Sequence, residues 1–338
     1  MILKRSQHSH PKTYRLLNKL SRINNVKSIN LEINPLLYDL CSRLYVNLLP
    51  NKTKTITFQI SNSFNDNSNN PKRLYKCYFF WLPYCLKIAN KISKSFMIQL
   101  NASDWGVDNF LSMTSEDNNN LIPDEYAMYE SKKLKKMSFP ENFLDFEANW
   151  IKRKSIMFWR GSTTGKSFNS TLELKDLIRV KACLSVRHIK NFDLKISSIV
   201  QNNIPKQIII QYLRQYNILS RRVDESKFLN YKYYPDLPGN NTLCGSWGVI
   251  RKYLRGNLVF RPCYKSLMYY DRFLEPWKEF IPIESDFSDL YEKYTWAENN
   301  QNESIRIAWN GFSIAKKYLK NIDNYFMSCA MSKITILV

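Results

Sequence analysis

No run of the chain stays apolar for the roughly 20 residues that a membrane-spanning helix requires. The nearest, residues 77–88, is too short and is interrupted by Pro83. Lys4 and Arg5 are followed by no apolar core, so a secretory signal peptide is not expected. The seven cysteines are an odd number and include no CxxC pair. That favours free thiols in a reducing compartment over a disulfide framework. Histidine is nearly missing: His8 and His10 lie close together, and His188 is the sole other. Residues 1–22 are basic and polar, and read as a flexible tail rather than a metal site. A strict Asp-x-Asp is also lacking, because Asp286 and Asp289 stand one residue too far apart and Asp145-Phe146-Glu147 is only a weak variant. No metal or other cofactor is therefore expected.

What is present is enough for two domains with real cores: 338 residues, 44% hydrophobic and 14% aromatic. Lys and Arg outnumber Asp and Glu by 50 to 29, giving a formal charge of +21 and a pI near 9.6. Such a surplus calls for an anionic partner. Nucleic acid is one candidate. The Lys excess travels with Asn, Ile and Tyr, all encoded by A/T-rich codons, so part of it reflects base composition. An anionic membrane face or phosphorylated glycolipid is the stronger reading.

Alternating apolar and polar residues predict strands over Val26–Ile33 and residues 56–60, with an Asn/Ser-rich loop at 61–70. Residues 95–101 predict a strand running into Ala102-Ser103-Asp104-Trp105-Gly106. An acid just beyond a strand's carboxyl end suits chemistry at a sheet edge, or equally caps the next helix. The Lys-rich run at 131–136 is a solvated face. Residues 141–152 predict a helix with Phe143, Phe146 and Trp150 on one side, and a domain boundary follows.

Ile156-Met157-Phe158-Trp159 predicts a strand ending in Arg160-Gly161-Ser162-Thr163-Thr164-Gly165-Lys166-Ser167. Small residues, hydroxyls and cations after a strand are what a phosphate needs. A P-loop is one reading, but only three residues separate Gly161 from Gly165, so the cradle is one residue short, and residues 208–211 supply no Walker-B acid. Ser170 and Glu173 predict a capping box on a helix running through Lys181, with Arg179 a surface charge by default. Residues 207–212 fit a strand or a helix equally.

The most informative stretch is 232–311. It opens Lys232-Tyr233-Tyr234-Pro235-Asp236-Leu237-Pro238-Gly239-Asn240-Asn241, a turn in which Gly and Asn tolerate positive φ. It continues through Ser246-Trp247-Gly248 to a helix capped by Gly256 and the apolar strand Leu258-Val259-Phe260. Then come Leu274-Glu275-Pro276-Trp277, Ile281-Pro282, Asp289-Leu290 and an amphipathic helix carrying Ile305, Trp309, Phe312 and Leu319. Alternating helices and short apolar strands predict an α/β fold with a parallel sheet.

The order of these residues resembles the C-terminal half of glycosyltransferase family 90, which includes lipopolysaccharide- and capsule-modifying enzymes and protein O-glucosyltransferases. Arg160-Gly161-Ser162 matches the family's Arg-Gly-Ser signature. Eukaryotic members tend to have Arg where this chain has Gly248, which suggests the bacterial-type branch and leaves one phosphate contact unassigned. The resemblance implies a GT-B-like fold, two Rossmann-like lobes facing a cleft, with the C-terminal helix crossing back to the first lobe. Divided accordingly, residues 23–152 form the acceptor lobe, 153–320 the donor lobe and 321–338 an extension.

It also implies an inverting, metal-independent transfer of a sugar from a UDP-sugar to a hydroxyl of a glycan or glycolipid. Asp104 is then the catalytic base. Arg160, Gly161, Ser162, Thr163, Arg179, Lys232, Gly239, Ser246 and Trp247 are the expected donor-binding residues, with Arg160, the 161–163 turn and Lys232 on the diphosphate. A cytoplasmic location, peripheral at the inner membrane face, is expected. The competing classes are a P-loop phosphotransferase, which explains only Gly165-Lys166-Ser167, and a nucleic-acid-binding module, which explains only the charge.

Overall fold

A computed structural model describes residues 26–34, 36–37, 41–49, 54–60, 70–116 and 120–337. The expected tail with His8 and His10 lies outside the described residues, as does most of the Asn/Ser-rich stretch. The chain divides into two compact units, one formed by Met1–Lys132 with Lys320–Val338 and the other by Lys133–Leu319.

In the first unit, strands β1 (Val26–Ile33), β2 (Cys41–Leu48), β3 (Lys54–Ile60) and β4 (Phe96–Asn101) lie in the order β1-β3-β2-β4. The short β5 (Leu111–Ser112) and the C-terminal strand Thr335–Ile336 also pair with β4. β1 and β3 run parallel, whereas β2 is antiparallel to both β3 and β4. This mixed sheet corrects the Rossmann-like expectation for the lobe. Only residues 49–53 separate β2 from β3, and a parallel crossover needs a dozen or more.

Phe96, Ile98 and Leu100 alternate into the core along β4. Helix α1 (Asn70–Lys91) contains the apolar stretch at 77–88, and Trp81, Cys85, Leu86 and Ile88 are buried there. No described helix is long and apolar enough to cross a membrane. Residues 321–338, set apart as an extension by the sequence, supply the helix Ile322–Ser332, which packs on α1. The Tyr84 ring lies 5.0 Å from that of Phe326, and its hydroxyl donates to the Asp323 carboxylate.

The second unit contains five parallel strands. They are β6 (Lys154–Ser162), β7 (Phe192–Ser198), β8 (Tyr231–Pro235), β9 (Leu258–Arg261) and β10 (Ile281–Pro282). Their order is β10-β9-β8-β6-β7. All four residues of β9 are buried, the near-continuous burial expected of a strand inside a parallel sheet covered on both faces.

Helix α2 (Glu125–Ser131) closes the first unit, and α3 (Phe143–Ile151) opens the helices of the second. The division at Lys132 differs from the boundary after 152 read from sequence, because the α3 face packs within the second unit. The Phe146 ring lies 5.3 Å from Trp309 and 5.6 Å from Phe312. The expected cap at Gly256 has φ +73°, and a Cβ there would approach Phe146 to 2.6 Å.

Asp124 caps α2, its Oδ1 accepting the Tyr126 and Ala127 N–H groups at 2.9 Å each. Burial, reinforced by the Glu125 charge, pushes its pKa up to about 7 despite those donors. A raised carboxyl favours folding while protonated, and that contribution is lost as pH rises from the unfolded value, about 4, through the folded one. Asp124→Asn keeps a capping oxygen and carries no charge. Its melting temperature relative to the parent should therefore climb between pH 5 and 8. A difference independent of pH would contradict this account.

Candidate functional site

The sheet of the second unit has the order 2-1-3-4-5 when its strands are counted along the chain. Its direction of winding reverses between β6 and β8, and ligands of open α/β sheets bind beyond the carboxyl ends of the strands at such a switch point. Here the loop leaving β6 meets the loop leaving β8.

The first loop begins at Gly161, where a Cβ would lie 2.2 Å from the Trp159 ring. Glycine is required there to admit the indole, which is almost wholly buried. The Ser162 and Thr164 hydroxyls are hydrogen-bonded to each other. Thr163 turns inward: its Oγ1 donates to the Val200 carbonyl at 2.8 Å and accepts the Val200 N–H at 2.9 Å. It staples β6 to β7.

The helix predicted through Lys181 is in fact broken. Helix α4 (Thr171–Asp176) stops at Leu177, whose ψ of 129° is extended, and α5 (Ile178–Val186) starts afresh. Ser170 caps α4 as expected, but Glu173 bonds the Asn169 N–H rather than that of Ser170. The break places Arg179 in the first turn of α5, where its guanidinium spans both loops. Nε donates to the Pro238 carbonyl at 2.8 Å and Nη2 to the Leu237 carbonyl at 3.2 Å. Nη1 reaches the carbonyl and hydroxyl of Ser162, each at 3.3 Å. Burial lowers the Arg179 pKa, countered by Tyr234 and Asp236, but an arginine remains charged throughout the physiological range. Among the described residues it has no carboxylate within 4.0 Å.

Beyond β8, Gly239 packs against this guanidinium, a Cβ there lying 3.4 Å from Nη2. Residues 239–241 do not use the positive φ expected of them. The loop is held instead by Arg179 and by Asn240, which accepts from Gln201 at 2.9 Å. Asp236 is fully buried, and its Oδ1 accepts the Ser246 N–H at 2.9 Å. Arg261, at the end of β9, lies 3.7 Å from Asp236 and bonds Asp271 at 2.6 Å. Burial raises the Asp236 pKa against the pull of Arg261. The same burial opposes charge on Arg261, but Asp271 and its other partners outweigh it and hold the pKa well above the ordinary value. This network fixes the turn that carries Ser246, Trp247 and Gly248 into α7 (Val249–Leu254). A Cβ on Gly248 would lie 2.8 Å from the Arg251 guanidinium, so a cation stands beside the position where the family pattern suggested one.

The structure thus brings Ser162, Arg179 and Gly239 together, and anchors Ser246 at the neighbouring strand end. Two expected donor-binding residues lie elsewhere. Arg160 folds back along the sheet, bonding the Trp159 carbonyl at 2.8 Å and the Asp193 carboxylate at 2.6 Å. Lys232 sits near the opposite end of the sheet, its Nζ 2.9 Å from Gln301 Oε1, with burial lowering its pKa. Asp104 belongs to the first unit, where it is 8% exposed and its carbonyl accepts the Thr114 hydroxyl at 2.9 Å. Its loop is shaped by Asn101, which accepts the Ser103 N–H and donates to the Trp105 carbonyl.

Nor does the Gly165 run form a P-loop. Phe168 is buried and bridged to Asn202, and the helix begins only at Thr171. No cluster of metal-ligating side chains occurs among the described residues. Asp286 and Asp289 instead accept backbone N–H groups of their own loop. Gln201, Asp236, Arg261 and Asp271 were not picked out from sequence. Asp236 stood inside the quoted turn, where Pro238-Gly239 drew the attention. A 700 Å³ concavity along α6 (Lys206–Gln215) shares none of these residues.

A parallel sheet with a cation and hydroxyls at its switch point defines the α/β class that takes ligands at that edge. The chain belongs to glycosyl transferase family 90, whose family model matches residues 136–332, more than half its length. Protein O-glucosyltransferase 2 of Danio rerio is 27% identical over 174 residues, covering 50% of this chain and 30% of that protein. Protein O-glucosyltransferase 3 of Homo sapiens is 33% identical over 96 residues, 28% of this chain and 18% of that protein. An uncharacterised protein, 179R, of Invertebrate iridescent virus 6 is 25% identical over 226 residues, 60% of this chain and 18% of that one. The matched stretches therefore span less than a third of these relatives. Among solved structures, Anabaena HepE in complex with UDP and glucose aligns over 58% of this chain and 53% of its own, with 14% identity and a TM-score of 0.34, too low to assign a common fold.

Arg179→Lys cannot reproduce a planar fork bridging two loops. Buried carbonyls lose their donors, and the unfolding free energy should fall by about 1 to 3 kcal/mol. Chemical denaturation measures it, and an unchanged midpoint would show that the bridge is dispensable.

Proposed function

We propose that this chain transfers a sugar from a UDP-sugar to an acceptor hydroxyl, with the donor diphosphate seated at the β6/β8 switch point. The observation that carries the proposal is Arg179, a half-buried guanidinium with no carboxylate partner among the described residues, beside the Ser162 and Thr164 hydroxyls. A cation in a poorly solvated place with no carboxylate in direct contact is stabilised by a bound dianion and stabilises in turn a departing nucleoside diphosphate. Fixed protein charge then serves where no Asp-x-Asp is available.

The inverting course implied by the family resemblance forms part of the proposal. Asp104 removes the proton from the attacking hydroxyl, following the strand-end position of its loop. Trp247, at the entry to α7, or a neighbouring aromatic stacks on the nucleotide base in this reading. The acceptor expected from the resemblance is a glycan or glycolipid of lipopolysaccharide or capsule. The names of the vertebrate relatives favour a protein hydroxyl instead. A cytoplasmic enzyme at an anionic membrane face agrees with the net charge of +21.

Calorimetry with UDP, UDP-sugars and ATP, each with EDTA and with Mg²⁺, tests the donor. UDP and one UDP-sugar should bind, undiminished by EDTA. Binding of ATP with Mg²⁺ alone, or of no nucleotide, would overturn the proposal. Asp104→Asn should slow transfer by about 10²- to 10⁴-fold while leaving UDP affinity unchanged. Wild-type turnover in that variant would remove Asp104 from the mechanism.

A further inference from the structure

Gln201 leaves β7 with φ of 57°, in the left-handed region. A glutamine has no local reason to be there: Gly enters this region without steric cost, and Asn enters it more readily than most side chains. The neighbouring contacts show what holds it. Its carbonyl accepts the Phe168 N–H at 3.2 Å. Its side-chain Oε1 accepts the Gly165 N–H at 3.0 Å, and Nε2 donates to Asn240 Oδ1 at 2.9 Å. One carboxamide thereby joins the loops leaving β6, β7 and β8.

Arg179 and Gln201 are two ties across the same pair of loops. Arg179 joins Ser162 to Leu237 and Pro238, while Gln201 joins Gly165 to Asn240 farther along each loop. The two ties differ in setting. Arg179 is half-buried and cationic, whereas Gln201 is exposed and its bonds compete with water. An exposed link returns little to folding for a strained backbone, and strain of this kind collects where geometry must be fixed for a ligand.

We infer that Gln201 is a positioning residue for the donor, one that sets the separation of the 162–165 and 237–240 loops and hence the width of the site offered to a nucleoside diphosphate. The inference rests on the UDP-sugar proposal above. Gln201 does not carry charge to the ligand. It presents the Gly165 and Asn240 loops in the spacing that Arg179 and the Ser162 and Thr164 hydroxyls require. Because those loops meet the donor in ground and transition states alike, loosening them weakens donor binding above all.

Two variants of the full chain test this, each titrated with UDP and melted without ligand. Gln201→Gly removes the link and the strain together, so the melting midpoint should stay level or rise while the UDP Kd rises about tenfold. Gln201→Glu keeps an acceptor for the Gly165 N–H but sets a carboxylate beside the diphosphate. Its UDP Kd should rise further, with the excess over Gln201→Gly shrinking as salt is added. The salt dependence reports that residue 201 stands beside the bound diphosphate, and the raised Kd of Gln201→Gly at an unlowered midpoint is what a merely structural residue would not produce. Parent-like UDP affinity in both variants overturns the inference and leaves the UDP-sugar proposal standing. So does weakened binding that only follows a fallen midpoint, without the salt dependence. A parent protein that binds no UDP overturns both.

Discussion

The guanidinium of Arg179 is the contact on which the second unit's functional edge depends. At a switch point the connections leaving neighbouring parallel strands run in opposite directions, and nothing in the sheet itself fixes how far the loops beyond β6 and β8 stand apart. A planar group with several donors can bond both at once, and Arg179 does so through carbonyls of Ser162, Leu237 and Pro238. Carbonyls satisfy its hydrogen bonds without neutralising its charge. The bridge that shapes the site is therefore also what makes it attractive to an anion.

The surrounding architecture keeps that bridge in place. Thr163 staples β6 to β7, Gly161 makes room for the Trp159 indole, and the Trp159 ring lies 5.7 Å from the Arg179 guanidinium. On the far side, Asp236 and Asp271 share Arg261, an arrangement in which two carboxylates meet one cation in a buried place. Breaking one member would leave an unpaired buried charge, so this network is a constraint on the fold more than a source of net stability. It holds the Ser246 turn at a set height above the sheet. Away from this edge, Tyr233 and Lys232 anchor the start of β8 to Glu298 and Gln301.

Much of this was legible in the residues. Apolar runs bounded by turn chemistry located β6 and β9, Gly256 marked the end of α7, and the spacing of Ile305, Trp309 and Phe312 located the helix Gln301–Lys320. Other features depended on partners distant in sequence. Leu177 breaks a helix without Pro or Gly, its N–H bonding the Leu174 carbonyl at 3.2 Å and its own carbonyl accepting the Lys181 N–H at 2.8 Å. Arg160 matched a motif, yet the direction of its side chain was decided by Asp193 on the neighbouring strand. Lys232 likewise belonged to a recognisable string but enters β8 far from its carboxyl end. Gln201 offered no signal, since its conformation is imposed by Gly165 and Asn240. In the first unit, the reversal of β2 followed from a short connection rather than from any residue pattern.

The most direct test is a crystal structure of the protein with UDP. The account predicts density for the diphosphate at the carboxyl edge of the five-stranded sheet, within hydrogen-bonding distance of Arg179 and of the Ser162 or Thr164 hydroxyl. Density for UDP at another place, such as the concavity along α6, with Arg179 still bonded only to carbonyls and Ser162, would contradict it.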